Sequence, residues 1–123
     1  MSPAASALAF YHAYLDAFRR QDAAALLDMA TTPMARIGPE GATLVAHAPD
    51  PVALAARTGW ADTVEVDAEV LDATEERAHL FLRRAVRVRA DGTPIEAISG
   101  WYVLLRAEGK WRIAAVSVIV RQA

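Results

Sequence analysis

Residues 93–121 read TPIEAISGWYVLLRAEGKWRIAAVSVIVR, two long runs broken once, at Glu108-Gly109. In the first run Ile95, Ala97, Ser99, Trp101, Val103 and Leu105 share one parity. Glu96, Ile98, Gly100, Tyr102, Leu104 and Arg106 share the other. Successive strand side chains point to opposite faces, so this strand is largely apolar on both. The second run repeats the habit: Ala114, Val116, Val118 and Val120 alternate with Ala115, Ser117 and Ile119. A sheet that is apolar on both faces has to be covered on both, and that requirement organises the rest of the chain.

Upstream, Asp91-Gly92 is a hairpin signal, since a two-residue turn there needs positive φ. Such a turn pairs Val88 with Ile95, Val86 with Ala97, Arg84 with Ser99 and Leu82 with Trp101, and it sets Arg87 opposite Glu96 on the other face. The turn at Glu108-Gly109 then places Trp101 across from Val116 and Val103 from Ala114. Val64, Val66, Ala68 and Val70 alternate with Glu65, Asp67 and Glu69, the pattern of a strand with one wet face. Arg83, Arg87 and Arg89 are expected to meet those carboxylates in a solvated ladder.

The first half reads as helices and short strands. Ser2 and Pro3 suit the start of a helix over Ala4–Arg20, and Asp22 caps a second one ending near Met29. Met34–Ile37 and Thr43–His47 read as short strands around a Gly38-Pro39-Glu40-Gly41 turn. Asp50-Pro51 opens a third helix that stops at Gly59. Helices followed by long antiparallel strands make an α+β layout, with one face of a curved sheet packed on the helices.

Bulk composition narrows the function classes. With 123 residues the chain is read as one domain, residues 1–123, and 54% hydrophobic content excludes global disorder. A net charge of −2 with no basic block argues against nucleic acid as a partner. There is no cysteine, so no thiolate nucleophile, disulfide or cysteine-based zinc site is available. His12 and Asp16 interrupt the first apolar stretch and no basic region precedes it, so neither a signal peptide nor a membrane span is expected. The expected compartment is cytoplasmic. His12 and His79 fall on polar faces with no helical His-Glu-x-x-His, so no metal and no cofactor is expected.

The run from Tyr11-His-Ala-Tyr14 to Arg20-Gln-Asp-Ala-Ala-Ala-Leu-Leu, together with Gly109-Lys-Trp-Arg-Ile, resembles the nuclear-transport-factor-two-like superfamily. That is the cone fold shared by SnoaL-like polyketide cyclases and ketosteroid isomerase. The resemblance implies a cone-shaped, mostly antiparallel sheet wrapped around about three N-terminal helices, enclosing a pocket, with an outer face that often dimerises. It carries little chemistry. The isomerase tyrosine lands on Tyr14, but the general base lands on Gly38 and the protonated acid on Trp101. Neither the carboxylate pair of limonene epoxide hydrolases nor the paired histidines of scytalone dehydratase is present. Fold alone does not confer an activity.

The same registration turns Arg36 and Arg84 into the cone. An inward guanidinium needs an acceptor, either an anionic ligand or an internal partner such as Glu40 or Asp62, unless it snorkels at the mouth. The expected ligand site is Tyr14, Arg36, Trp60, Arg84, Ser99 and Trp101, holding an apolar small molecule with an anionic group. An enzyme of the lyase or isomerase kind, using Tyr14 as donor and His47 or an unrecognised carboxylate as base, is the alternative, as is a ligand-free dimeric interaction module. The expected partner is a second copy, docked through Ile98, Tyr102, Leu104, Ile113, Ala115 and Ile119 on the outer sheet face.

Overall fold

The computed structural model describes residues 1–46 and 49–122. Helix α1 spans Pro3–Arg19, and the Ser2 hydroxyl accepts the Ala5 N–H at 3.1 Å. At its far end Arg19 donates to Asp62 at 3.0 Å and to the Thr63 carbonyl at 2.8 Å, fastening the helix to a strand 43 residues away. Helix α2, Ala23–Asp28, is capped by Asp22, and α3, Pro51–Thr58, is capped by Asp50. Gly59 ends α3 at φ 78°, a conformation that a Cβ would resist.

Six strands follow or interleave: β1 Ala30–Gly38, β2 Gly41–Val45, β3 Asp62–Ala73, β4 Arg77–Val88, β5 Pro94–Ala107 and β6 Lys110–Gln122. They form one sheet in the order β2-β1-β6-β5-β4-β3. Every pairing is antiparallel except β1 with β6, which is parallel. The architecture is an α+β cone. Strand β1 begins earlier than Met34 because Ala30 already pairs with Ile113. Strand β2 ends at Val45, and His47 lies outside the described residues.

The concave face packs on α1, which lies over β3 and β4. Tyr11, Leu26, Leu80, Leu82, Leu104 and Ile113 are fully buried there, joined by Ala7, Tyr14, Ala85, Ile98 and Tyr102. Each buried leucine contributes about 1.5–3 kcal/mol of transfer free energy. Gly100 lets this layer close: a Cβ on it would lie 3.2 Å from Val118 and 3.3 Å from Tyr102.

Strand register decides which residues reach that face. Val86 pairs with Ala97 and Arg87 with Glu96, as the hairpin reading expects, but Val88 pairs with Pro94 and not Ile95, across a register shift next to the loop. The loop itself has three residues, Ala90–Gly92, closed by the Arg89 N–H on the Thr93 carbonyl at 2.9 Å, and of its residues Gly92 takes the positive φ, 87°. Beyond Ala85 the ladder slips. Ala85 pairs with Ile98, yet Leu82 pairs with Gly100 and Phe81 with Trp101. Arg83 and Arg84 form a bulge between two core-facing residues, so both project from the convex side. A one-residue slip exchanges the faces of everything beyond it. On the other flank Trp101 pairs with Ser117 and Tyr102 with Val116, again one place from expectation.

This corrects the expected outer face. Ile98, Tyr102, Leu104 and Ile113 are buried in the concave core: the β4 bulge sets Leu80 and Leu82 beside Tyr102 and Gly100, so this parity of β5, and not that of Trp101, shares the face of the β4 leucines. Ala115 and Ile119 remain convex, paired with Val103 and Ser99.

Candidate functional site

Inside the cone three tyrosines gather between α1 and β5. The rings of Tyr11 and Tyr102 meet edge to face at 4.9 Å, and Tyr11 and Tyr14 stack at 5.9 Å. Aromatic contacts continue along the helix through Phe18 to Trp60, whose indole N–H donates to the Thr63 hydroxyl at 3.0 Å. Helical spacing explains the row: Tyr11, Tyr14 and Phe18 recur at three- and four-residue steps and so share one stripe.

Burial raises the pKa of all three tyrosines above the ordinary phenol value, so they remain protonated donors. Tyr14 and Tyr102 are buried, and Tyr11 is wholly so. The Tyr11 hydroxyl makes no well-formed hydrogen bond among the described residues, although the Tyr102 hydroxyl lies close enough to couple to it, and a buried donor so weakly satisfied is costly. Arg87, close enough to these rings to oppose their upward shift, shares the concave parity and donates to Glu96 at 2.7 Å. The two charges satisfy one another with side chains only 17% and 13% exposed.

The six residues expected to meet in one cavity fall in three places. Tyr14 and Trp60 lie on the concave side, beside α1. Arg36, level with Val116 and Thr43, shares that face but stands exposed toward the β2 edge. It borders a cleft of about 300 Å³ with Gly38, Pro39, Glu40, Gly41 and Thr43. No ion pair to Arg36 occurs among the described residues, and Asp62 is taken by Arg19. Arg84, Ser99 and Trp101 are on the convex side, displaced there by the bulge. Arg36 and Arg84 therefore occupy opposite faces and cannot grip one ligand.

Tyr11, Tyr102, Arg87 and Glu96 are the residues missing from the expected site. The Arg87–Glu96 pair was visible as a cross-strand match, but nothing local marked its face as the inner one. Among the described residues no group of three or more metal-ligating side chains comes together, and His12 and His79 are exposed.

The convex side holds a second cluster. Trp101 stacks on Phe81 at 4.6 Å while remaining 52% exposed, and Arg83 sits over the Phe81 ring at 5.7 Å. Ile119 is 54% exposed nearby, and Val103, Ala115, Ser99 and Ser117 complete an uncharged middle. Charges stand at the border, where Arg83 is held by Glu69 at 2.8 Å and Asp67 at 3.8 Å.

The NTF2-like protein family DUF6841 matches residues 5–119. The chain belongs to that NTF2-like family. Solved structures agree on the fold. The CaMKII hub of S. rosetta superposes with a TM-score of 0.70 at 20% identity, covering 98% of each chain. An NTF-2 like protein of unknown function from Silicibacter pomeroyi gives 0.60 at 20% identity, covering 95% of this chain and 94% of that one. The association domain of C. elegans CaMKII gives 0.66 at 15% identity over 92% of each. No curated protein matches the sequence. No helix among the described residues of this NTF2-like protein is long and apolar enough to cross a membrane.

Proposed function

We propose that this NTF2-like protein is a self-associating domain in which two copies mate through the convex face of β4, β5 and β6. The exposed Trp101–Phe81 stack is the observation that carries the reading. An uncharged, partly aromatic centre with a charged border has the anatomy of a protein interface, and a wide exposed apolar patch is uncommon on monomers. The border carries both signs, Arg83 and Arg84 with Asp67 and Glu69, so it is compatible with its own copy. Structures described as a hub and an association domain share the fold, which supports the reading by analogy. Sedimentation should give a dimer at micromolar concentration, and Trp101→Glu should halve the mass with the circular dichroism unchanged. A monomeric wild type rules this out.

A ligand within the cone is the second reading, favoured by the weakly satisfied Tyr11 hydroxyl. It suits an apolar molecule whose oxygen accepts from Tyr11, with an anionic group reaching toward Arg36. Lyase or isomerase chemistry has less to draw on, because the Glu96 carboxylate beside the cluster is committed to Arg87. Thermal-shift screening of matched acids and amides against wild type, Tyr11→Phe and Arg36→Met tests this reading. If no compound shifts wild type more than Tyr11→Phe, the cone is only a core. The cysteine-free sequence fits a cytoplasmic home, which fractionation would test.

A further inference from the structure

The two edges of the sheet differ in how they are defended. Strand β3 presents its free edge with Glu65, Asp67, Glu69 and Asp72 along it. Its ladder is broken by register shifts at Val64/Asp67, Asp67/Ala68 and Val70/Asp72, and Glu65 adopts φ 53°. Charges and bulges of this kind keep an edge from pairing with another chain. Strand β2 has neither. From Gly41 to Val45 it carries no charge and its register with β1 is unbroken, and four of its five residues are exposed, Leu44 to 73%.

We infer that β2 is a second self-association surface, on which the same strand of another copy pairs antiparallel about Thr43. The residues favour this occupant. A twofold axis at Thr43 sets Thr43 against Thr43, Ala42 against Leu44, and Gly41 against Val45. Each face then opposes a small residue to a larger one, no like charges meet, and threonine against threonine is a favourable cross-strand pair. Leu44 and Ala42 lie on the convex side, since Val45 on the other parity packs against the concave core. Leu44 pairs with Ala35 of β1 and Ala42 with the exposed Ile37, and the uncharged strip runs on from Ile37 through Ser117 to Trp101. Pairing would thus satisfy the edge's free backbone groups and cover Leu44 in one step. This surface is separate from the Trp101 contact, and a copy using both would build assemblies larger than a dimer.

The natural chain has no cysteine, which makes the test direct. Directly opposed residues of an antiparallel pair have Cα atoms about 4.5–5.5 Å apart, within disulfide range. Thr43→Cys, oxidised at micromolar concentration, should form a covalent dimer faster than Glu108→Cys, an exposed control at a distant turn. Adding Leu44→Lys should abolish the crosslink, and adding Trp101→Glu should leave it intact. Mixed Ala42→Cys and Leu44→Cys chains should crosslink with each other, which covers the case of a Thr43 variant that fails to fold. Crosslinking of Thr43→Cys no faster than Glu108→Cys, or its loss with Trp101→Glu, overturns the inference.

Discussion

Strand β5 presents two faces of nearly equal apolar content, and they have opposite fates. Ile98, Gly100, Tyr102 and Leu104 are buried in the concave core, whereas Ser99, Trp101, Val103 and Leu105 look outward and are partly or largely exposed. Hydrophobicity along the strand does not distinguish these sets. What does is shape: the inward set alternates a missing side chain at Gly100 with rings and branched chains that interlock with α1. Close packing of this kind specifies a unique core, while the outward set offers area without a fixed partner in the same chain.

The sharpest way to break the comparison is a pair of truncations. Leu104→Ala should cost about 2–5 kcal/mol in urea unfolding, the usual range for emptying a full leucine site. Trp101→Ala should cost the monomer only about 0.5–1.5 kcal/mol, the scale of its stack on Phe81, once measured below the association concentration. Equal losses for the two would mean that the faces are not distinct in function.

Gly100→Ala tests the interlock itself. The added Cβ would sit 3.1 Å from the Ser117 carbonyl oxygen, and backbone there cannot yield cheaply. A loss of about 1–3 kcal/mol is expected, the range for overpacking, read as a lower denaturation midpoint at constant slope.

A smaller effect, of opposite sign, is expected at Tyr11. Removing a buried hydroxyl that makes no well-formed hydrogen bond, by Tyr11→Phe, relieves a desolvation penalty against at most a weak contact to Tyr102, so stability should hold or rise by up to about 1 kcal/mol. A loss larger than that would show that the hydroxyl has a partner in solution.

The smallest effect belongs to the charged border. Arg83 holds the Glu69 carboxyl below its ordinary range by a hydrogen bond and by charge. A depressed folded value means that the contribution is present above the unfolded value and is lost as pH falls through the folded one. Carboxyl NMR titration should place the Glu69 midpoint below that of a free glutamate, and Arg83→Met should return it. On so exposed a pair the melting temperature should hardly respond.

Much of this fold was legible in the chain. The helix caps at Ser2, Asp22 and Asp50 and the stop at Gly59 come from local chemistry, and local chemistry is written locally. The α+β order follows from where the period changes. The Val86–Ala97 rung agrees with a two-residue turn because the register shift between Arg87 and Val88 offsets the extra residue of the three-residue loop. The site was less legible for one reason: Arg83-Arg84 continues the alternating pattern of β4 and yet spends one residue on a bulge. Nothing in two adjacent arginines distinguishes a bulge from an ordinary rung. Unbroken alternation therefore points Trp101 and Ser99 into the pocket and Tyr102 and Leu104 to the surface, the reverse of their places in the fold.

The parallel pairing of β1 with β6 has a consequence in time. Ala35 to Ile37 wait for Ala115 to Ser117, so most of the chain must be synthesised before β1 acquires that neighbour. The hairpins β3–β4–β5 can assemble in the order they emerge, since their contacts are close in sequence. The short β1–β2 hairpin is then a late passenger, held near the growing sheet only by α2 and its own turn. Long-range parallel pairing is slow because loop closure precedes any gain. During that interval the face of β1 that later meets β6 is an open edge, and a nascent chain on a crowded ribosome is most vulnerable to mispairing there.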